Sequence, residues 1–596
     1  MKTASLIEFC RQRPLFVVLL GAISITLLKA LLAGIEMEEN FASMGNDDIM
    51  RMVMVRDWLA GQSWFDTTQY RLMPPEGVLI HWSRYVDAGI AAFIVPFSFF
   101  LPMETAELIG SAIWPTVIFI ITLFVIGFGT KRLFGPVAAS FAVMCAIFWP
   151  LLGDLHSRAG NLDHHNIQLL MMVILVYAVV WPGRPVVAGI WGGLAAAFAL
   201  STGLESLLFI VVAGIVVFGR CVFDPRPETR QLLVAFCLAL GTASVIFWLG
   251  LTPPALRTQP VCDQLGTPML SVIGIAVVAA LAPLALRQRI PGWIFQIGAT
   301  ACLTAIGMAI AWPLLGPCIQ GPYGDLPPEL QEFISTRITE AKPFHLYVQS
   351  HTGAALVFII PVITALLSGS VLWWTRRGDS QSDQSQNAIL GQLLLLGFCG
   401  ICLIALQMRT VILVAAVVPA IGGACLAVLL KGYLEKRDAI KAVLMFAIGI
   451  GVMAPQIMLD PFWPDATENR TETEMATADC RTYASLNALN EVSPAVILNS
   501  TNIGAPLLWV THHSSLAAPY HRSPAAFMNG GLGFAMEETA FEALARESGA
   551  THVLLCAGNS YDSEFLTALA AGEVAVDWLN LVPLSNDEQM LFEIQG

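Results

Sequence analysis

Charge is scarce in this chain. Only 13% of its 596 residues are Asp, Glu, Lys or Arg and 56% are hydrophobic, whereas a soluble domain carries about 25% charge. That excludes a soluble globular protein, because many windows of about 20 apolar residues need a solvent other than water. Basic residues are the scarcer sign. The 31 Lys and Arg against 44 Asp and Glu leave a net charge of −13, which argues against a DNA or RNA partner. No P-loop, GxSxG or GxGxxG stands in a useful context. No internal repeat is visible, which weighs against an inverted-repeat transporter. The basic and then apolar N-terminus lacks a small-residue cleavage site and reads as an uncleaved first membrane helix.

What is present is a series of apolar runs. They fall at residues 15–33, 106–128, 136–152, 167–181, 186–200, 204–218, 232–251, 269–286, 293–315, 352–374, 389–406, 410–430 and 439–459, which predicts about thirteen membrane helices. Another run, 88–101, is short for a span and reads as interfacial or re-entrant. On that count the connectors TKRLFG, PGRP, RCVFDPRPETR, LRQR, TRRGD and KGYLEKRDAIK all lie on the side of the N-terminus. This is the positive-inside pattern and places the N-terminus in the cytoplasm. Residues 1–459 are then the membrane domain, with outer loops 35–87, 153–166 and 316–351. Residues 460–596 mix strand-like runs (SPAVILNS, ATHVLLCAG) with a helix-like one (MEETAFEALARESG) and predict a small outer α/β domain.

Most of the cysteines lie within spans as small apolar residues, including the Cys399–Cys402 CxxC. Cys262 and Cys318 fall on outer loops, and Cys480 and Cys556 fall in the tail. An oxidising outer compartment permits a disulfide in each pair, although spacing alone does not fix the pairing.

The polar residues of interest gather on the outer side. In GNDDIMRMVMVRDWLAGQSWF, Ile49, Met52, Val53 and Leu59 share a face, which predicts a helix lying on the membrane surface. Asp47 or Asp48 at its start is an N-cap or a metal acid. In HSRAGNLDHHNIQLL, Asp163 and His165 would splay apart inside a helix, but at the non-helical entry to a span both can address one centre. The alternative there is a solvated cap with spare histidines. His164 points elsewhere if His165 ligates. Carboxylate plus imidazole suits a divalent cation of the Mg²⁺ to Mn²⁺ to Zn²⁺ series, with the imidazole tilting away from Mg²⁺. Glu340 lies in the third outer loop, and Glu205, in STGLESLLF, lies near the outer end of a span. Arg409 opens a span in QMRTVILV, where it either snorkels or grips a phosphate. The tail segment WVTHHSSLAAPYHRSP brings Tyr520, His521 and Arg522 close together, as a polar strand edge or as a lid touching phosphate or acceptor.

Taken in order, these motifs resemble the catalytic subunit of oligosaccharyltransferase, in its bacterial or archaeal single-subunit form. That is a membrane glycosyltransferase of the GT-C type. The likeness rests on Asn46-Asp47 followed by Arg56-Asp57-Trp58-Leu59-Ala60-Gly61, on RAGNLDHH, on RITE ending at Glu340, and on Arg409 in RTVILVAAVVP. It implies a GT-C fold in the bacterial inner membrane, with the tail domain in the periplasm. It selects Asp47 over Asp48 as a metal ligand beside Asp163 and His165, with Mn²⁺ or Mg²⁺ as cofactor. It implies Asp47 or Glu340 as the catalytic carboxylate, and Arg409 on the donor phosphate. The implied reaction is inverting transfer from a polyprenyl-phosphate or -diphosphate sugar to a glycan, lipid or protein acceptor. The chain departs from the family in its tail. The WWDYG motif that reads an Asn-X-Ser/Thr acceptor is absent after Asp460, and the WW at Trp373-Trp374 lies on the inner side. A related transferase is therefore expected ahead of a protein oligosaccharyltransferase with a non-standard tail. A transporter for lipids or small molecules is the alternative of another class. It would need ionisable residues mid-span, and Glu205 is the clear intramembrane candidate.

Overall fold

The computed structural model describes residues 12–224, 226–286, 292–321, 326–328, 330–332, 342–376, 381–462 and 480–596. Helices dominate: α1 (Pro14–Ala33), α2 (Asn46–Leu59), α3 (Arg84–Ser98), α4 (Met103–Phe134), α5 (Pro136–Phe148), α6 (His165–Val180), α7 (Pro185–Thr202), α8 (Leu207–Phe223), α9 (Pro227–Leu251), α10 (Thr267–Leu286), α11 (Trp293–Leu315), α12 (Thr352–Thr375), α13 (Gln381–Leu406), α14 (Val418–Lys436) and α15 (Ala439–Met453). Among the described residues nine of these are long and apolar enough to cross a membrane. Four more, α5, α6, α8 and α15, are apolar but shorter. The protein is a polytopic helical membrane protein with a mixed sheet in its C-terminal region.

Two expected spans end differently, and proline is the reason. The run 410–430 was expected as one helix. Instead Met408–Thr410 forms a 3₁₀ turn and Val411–Val414 a single α turn before α14 starts at Val418. Pro419 has no N–H, and it stands in the first turn of α14, where that donor has no partner inside the helix to lose. Pro455 likewise ends the run 439–459, leaving α15 to stop at Met453. Close helix packing has the opposite origin, in missing side chains. A Cβ at Gly193 of α7 would lie 2.5 Å from the Phe236 carbonyl of α9, and one at Gly189 would lie 2.6 Å from the Leu232 carbonyl. Such small residues let two membrane helices approach backbone to backbone.

A short antiparallel pair, β1 (Thr68–Gln69) and β2 (Val78–Leu79), precedes α3, and the C-terminal sheet contains β3 (Val496–Asn499), β4 (Ser514–Ser515), β5 (His552–Cys556), β6 (Leu579–Val582) and β7 (Gln589–Ile594). Its order is β4-β3-β5-β7-β6, parallel across the first three strands and antiparallel beyond. Residues 553–556 of β5 are all buried, as a central strand requires. Cys480 and Cys556 are disulfide-bonded, as are Cys262 and Cys318. The loop before α3 joins this sheet. Leu72 bridges in parallel to Ser515, with Met73 N donating to Ser515 O at 2.8 Å and Ser515 N to Arg71 O at 2.8 Å.

That union overturns the expected surface position of α2. Every residue from Asp48 to Val55 is buried, Arg51 at 0% exposure included. The face assigned to water is covered by α3 and by a tail helix, α16 (Gly504–Val510). Charged residues seal the contact. Arg56 forks onto Glu107 at 2.9 and 2.6 Å and donates to Trp509 O at 2.7 Å. Arg71 donates to Thr511 O at 2.7 Å and to Leu508 O, answering free carbonyls at the end of α16. Glu39 accepts the Tyr483 and Ala484 N–H groups at 2.9 and 3.1 Å, at the positive end of a short tail helix.

Glu107→Ala should destabilise the protein by about 2 kcal/mol, because it leaves the Arg56 charge half-buried and unanswered. A drop in thermal midpoint larger than that of Glu107→Gln, which keeps hydrogen-bond acceptors, is the expected result.

Candidate active site

The first turn of α2 divides the two adjacent acids. Gly45 is the N-cap, Asp47 is exposed and Asp48 turns inward, 5% exposed. Asp48 Oδ2 accepts the Gly45 N–H at 3.2 Å. Its Oδ1 accepts the N–H groups of Leu162 and Asp163 at 2.7 and 2.8 Å. Burial, reinforced by the charge of Asp163, raises the Asp48 pKa to about 7 against the pull of those three donors.

The segment held by Asp48 carries the histidines. Asp163 lies just before α6, and its Oδ1 also accepts the His164 N–H at 2.7 Å. Asp163 Oδ1 is 2.6 Å from His164 Nδ1, and Oδ2 is 3.3 Å from His165 Nε2. Donor atoms of Asp163, His164 and His165 all lie within 4.8 Å of one another. Asp47 is not part of that group.

His164, set aside as a bystander by spacing, sits between two carboxylates. Its Nε2 is 3.5 Å from Glu205 Oε2. Yet neither ring nitrogen makes a well-directed hydrogen bond, so both buried nitrogens face oxygens off-axis. Burial opposes its ionisation, but the charges of Asp163 and Glu205 lift its pKa to about 10. Asp163 and Glu205 show the reciprocal effect. Burial would raise each, and the charge of His164 holds each well below the usual carboxylate range. The charge of Arg409, in its 3₁₀ turn, also reaches Glu205. Arg409 Nε is buried with no hydrogen-bond partner among the described residues.

Gln168 completes this cradle. It donates to Glu205 Oε2 at 3.0 Å and to Gly203 O at 3.2 Å, while its Oε1 lies 3.3 Å from His165 Nδ1. Sequence reasoning missed it. The signal was its place three and four residues after the two histidines, on the same helix face. Gly203 leaves room for the group, since a Cβ there would lie 2.3 Å from Glu205 Oε2.

The tail residues form a neighbouring cluster. Tyr520 is buried, packs edge-on to Trp82 and donates to Asn46 O at 3.0 Å, so the tail grips the first turn of α2. Burial and then the charge of Asp47 push its pKa well above the usual value, keeping the hydroxyl a donor. His521 and Arg522 converge on Asp263. Arg522 Nε and Nη2 donate to its two oxygens at 2.7 and 2.6 Å, and His521 Nε2 is 3.0 Å away. His81 Nδ1 lies 3.9 Å from Asp263 and its ring 4.8 Å from that of His521. Burial depresses the His81 pKa to about 3. Burial would raise Asp263, but the hydrogen bonds of Arg522 and His521 hold it far below the usual range. This contact is therefore present above the ordinary carboxylate pKa and is lost only as pH falls through the lowered value. The charge of Glu205 reaches His81, so the two clusters border one another. Sequence reasoning did not single out His81 or Asp263. Asp263 follows Cys262, whose disulfide to Cys318 tethers it.

By donor type and spacing, both Asp163–His164–His165 and His81–Asp263–His521 are candidate metal sites. The first fits a cation better. The side-chain neighbours of its carboxylate are imidazoles, which ligate metals in their neutral form, and both ring nitrogens of His164 are buried without a well-directed hydrogen bond. Glu340 lies outside the described residues.

Fold comparison adds an independent finding. The chain superposes on the oligosaccharyltransferase AglB of Archaeoglobus fulgidus in complex with an inhibitory peptide and a dolichol-phosphate, with a TM-score of 0.68 at 15% identity. The alignment covers 92% of this chain and 70% of that one. The fold is GT-C-like. The same archaeal enzyme in complex with Zn and sulfate aligns with a TM-score of 0.61 at 15% identity, over 90% of this chain and 68% of that one. Tethered to an acceptor peptide containing an NVT sequon, it aligns with a TM-score of 0.62 at 14% identity, over 92% of this chain and 70% of that one. No family model matches the chain, and no curated protein matches it.

Asp263→Ala strips Arg522 and His521 of their shared acceptor. Backbone hydrogen exchange over 519–523 should then speed up by about tenfold or more, the equivalent of one charge-assisted hydrogen bond. Unchanged exchange would show that the tail is held there by other contacts.

Proposed function

We propose that the protein is an inverting glycosyltransferase that moves a sugar or oligosaccharide from a polyprenyl-phosphate or -diphosphate donor to an acceptor at the outer face of the membrane. The observation that carries this reading is the Asp163–His164–His165 group at the start of α6, with Glu205 and Arg409 beside it, in a GT-C-like chain. The reading takes α5, α6, α8 and α15 as spans, for about thirteen in all, with a cytoplasmic N-terminus and a periplasmic domain beginning near residue 460. The membrane would be the bacterial inner membrane.

In this scheme Asp163 and His165, joined by Asp47, hold a divalent cation. A cation so held would neutralise charge on the leaving phosphate, and the histidine content favours Mn²⁺ or Zn²⁺ over Mg²⁺. Arg409 adds a fixed positive charge for the phosphate, and Glu205 is held ready by His164 and Gln168. The bond between the anomeric carbon and the phosphate oxygen breaks, and the phosphate keeps the electron pair. The acceptor nucleophile forms its new bond on the opposite face of the sugar. Its proton passes to a carboxylate, for which Asp47 and Glu340 are the proposed candidates. Tyr520, His521 and Arg522 lie in the tail that roofs this space.

A protein acceptor is the second reading. Its support is that the alignment with AglB, an enzyme solved with acceptor and inhibitory peptides, extends over 92% of this chain. A glycan or lipid acceptor is preferred because the tail lacks the sequon-reading motif.

Asp163→Ala and His165→Ala should each lower transfer from a polyprenyl-linked donor about 100-fold, with Mn²⁺ affinity falling in parallel. Retention of both properties in both variants would overturn the proposal. Transfer to a sequon peptide, lost on changing the tail, would promote the second reading.

A further inference from the structure

We infer that Asp48 is a positioning residue, whose carboxylate sets the distance between the two chain segments that carry the proposed metal ligands. The inference rests on the proposed metal role of Asp47, Asp163 and His165, and adds to it a residue that makes no contact with metal or substrate.

The argument is geometric. A carboxylate in the first turn of a helix needs only the adjacent N–H groups, and solvent serves it well otherwise. Asp48 makes that local contact with one oxygen, to Gly45 N at 3.2 Å. Its other oxygen is committed elsewhere, to two consecutive N–H groups 114 and 115 residues away in sequence. One of those donors is the backbone of Asp163 itself. Burying a carboxylate costs several kcal/mol unless such donors answer it, and this one is buried on all sides. A helix cap does not need that expense.

The consequence is a rigid link. Asp47 is fixed to Asp48 by one peptide unit, and Asp163 is fixed to Asp48 by its own N–H. Both candidate ligand segments therefore share one anchor, and a shift in the anchor changes the separation of the carboxylates. Metal sites tolerate such shifts poorly, since ligand positions must hold within about 0.5 Å.

The test separates position from charge. Asp48→Asn keeps an acceptor oxygen for Leu162 and Asp163 while removing the charge. Asp48→Glu keeps the charge while moving the oxygens outward by one methylene. Full-length protein in lipid nanodiscs is titrated with Mn²⁺ and followed by electron paramagnetic resonance, with thermal unfolding as the folding control. A positioning role predicts Mn²⁺ affinity within about threefold of wild type for Asp48→Asn, and a loss of about tenfold or more for Asp48→Glu. The reverse order, loss in both, or wild-type affinity in both overturns the inference. Asp163→Ala runs alongside as the control for the metal reading. If Asp163→Ala loses Mn²⁺ while Asp48→Glu does not, the anchor fails and the metal site stands. If Asp163→Ala also binds as wild type, the metal site and its anchor fall together.

Discussion

The part of the structure that carries α2 and the C-terminal sheet depends on one buried carboxylate shared by two arginines. Asp87 of α3 faces Arg51 of α2 at 3.0 Å and Arg84 at 3.0 Å, and all three side chains are withdrawn from solvent. Two guanidiniums on one acid leave an excess positive charge in an apolar setting, which is costly unless other dipoles answer it. Arg84 is answered by Met54 O at 3.1 Å, Gln62 Oε1 at 3.0 Å and Asp66 O, while Arg51 stacks 4.5 Å over Trp82 and keeps its Nε and Nη2 buried without a hydrogen-bond partner among the described residues. This knot fixes α2 against α3 and against the loop between them. The N-terminus of α2, with Asp47 and Asp48, is thereby aimed at residues 162–165. The charge of Arg51 also reaches Asp163 and favours its ionised form.

With α2 fixed, the tail acts as a roof whose footing is on the loops and not on the membrane helices alone. Its sheet accepts residues 71–73 at the β4 edge, its helix α16 lies on α2, and Tyr520 holds the Asn46 carbonyl. Covering the β4 edge also removes an exposed strand edge. The Arg522–Asp263 fork attaches the roof to the loop between α9 and α10, tethered by the Cys262–Cys318 disulfide. Opening the space beneath would require breaking contacts on both sides of the tail.

Much of the membrane part was legible because apolar length is a strong signal and backbone groups in lipid have few alternatives to a helix. The helices α7 and α11 match the runs 186–200 and 293–315 closely for that reason. What failed were the places where one residue changes the outcome, such as Pro419 and Pro455. The burial of α2 was not legible. Its hidden face is covered by residues some 450 positions later, and periodicity within one segment carries no information about that. At the site, the motif GNLDHHN was visible as a polar anomaly, but the part played by His164 was not. Spacing says which side chains cannot share a centre on one helix. It does not say that Glu205 arrives from the connection between α7 and α8 to face the other nitrogen of the His164 ring.

The two His–Asp clusters show why residue type and distance alone do not assign a metal. Both place a carboxylate and two imidazoles within the same short radius. They differ in what already answers the carboxylate. At Asp263 a guanidinium forks onto both oxygens, so the acid has a permanent cation in ideal geometry. A dication added there would meet the charge of Arg522 at close range, without a solvent of high dielectric between them. At Asp163 the side-chain neighbours are the imidazoles of His164 and His165, a ligand type that a guanidinium is not. A second carboxylate, Glu205, stands 3.5 Å from the other nitrogen of His164. On the proposed reading, the Asp163 cluster is the one left open to a metal ion, because Asp263 already has its cation in Arg522.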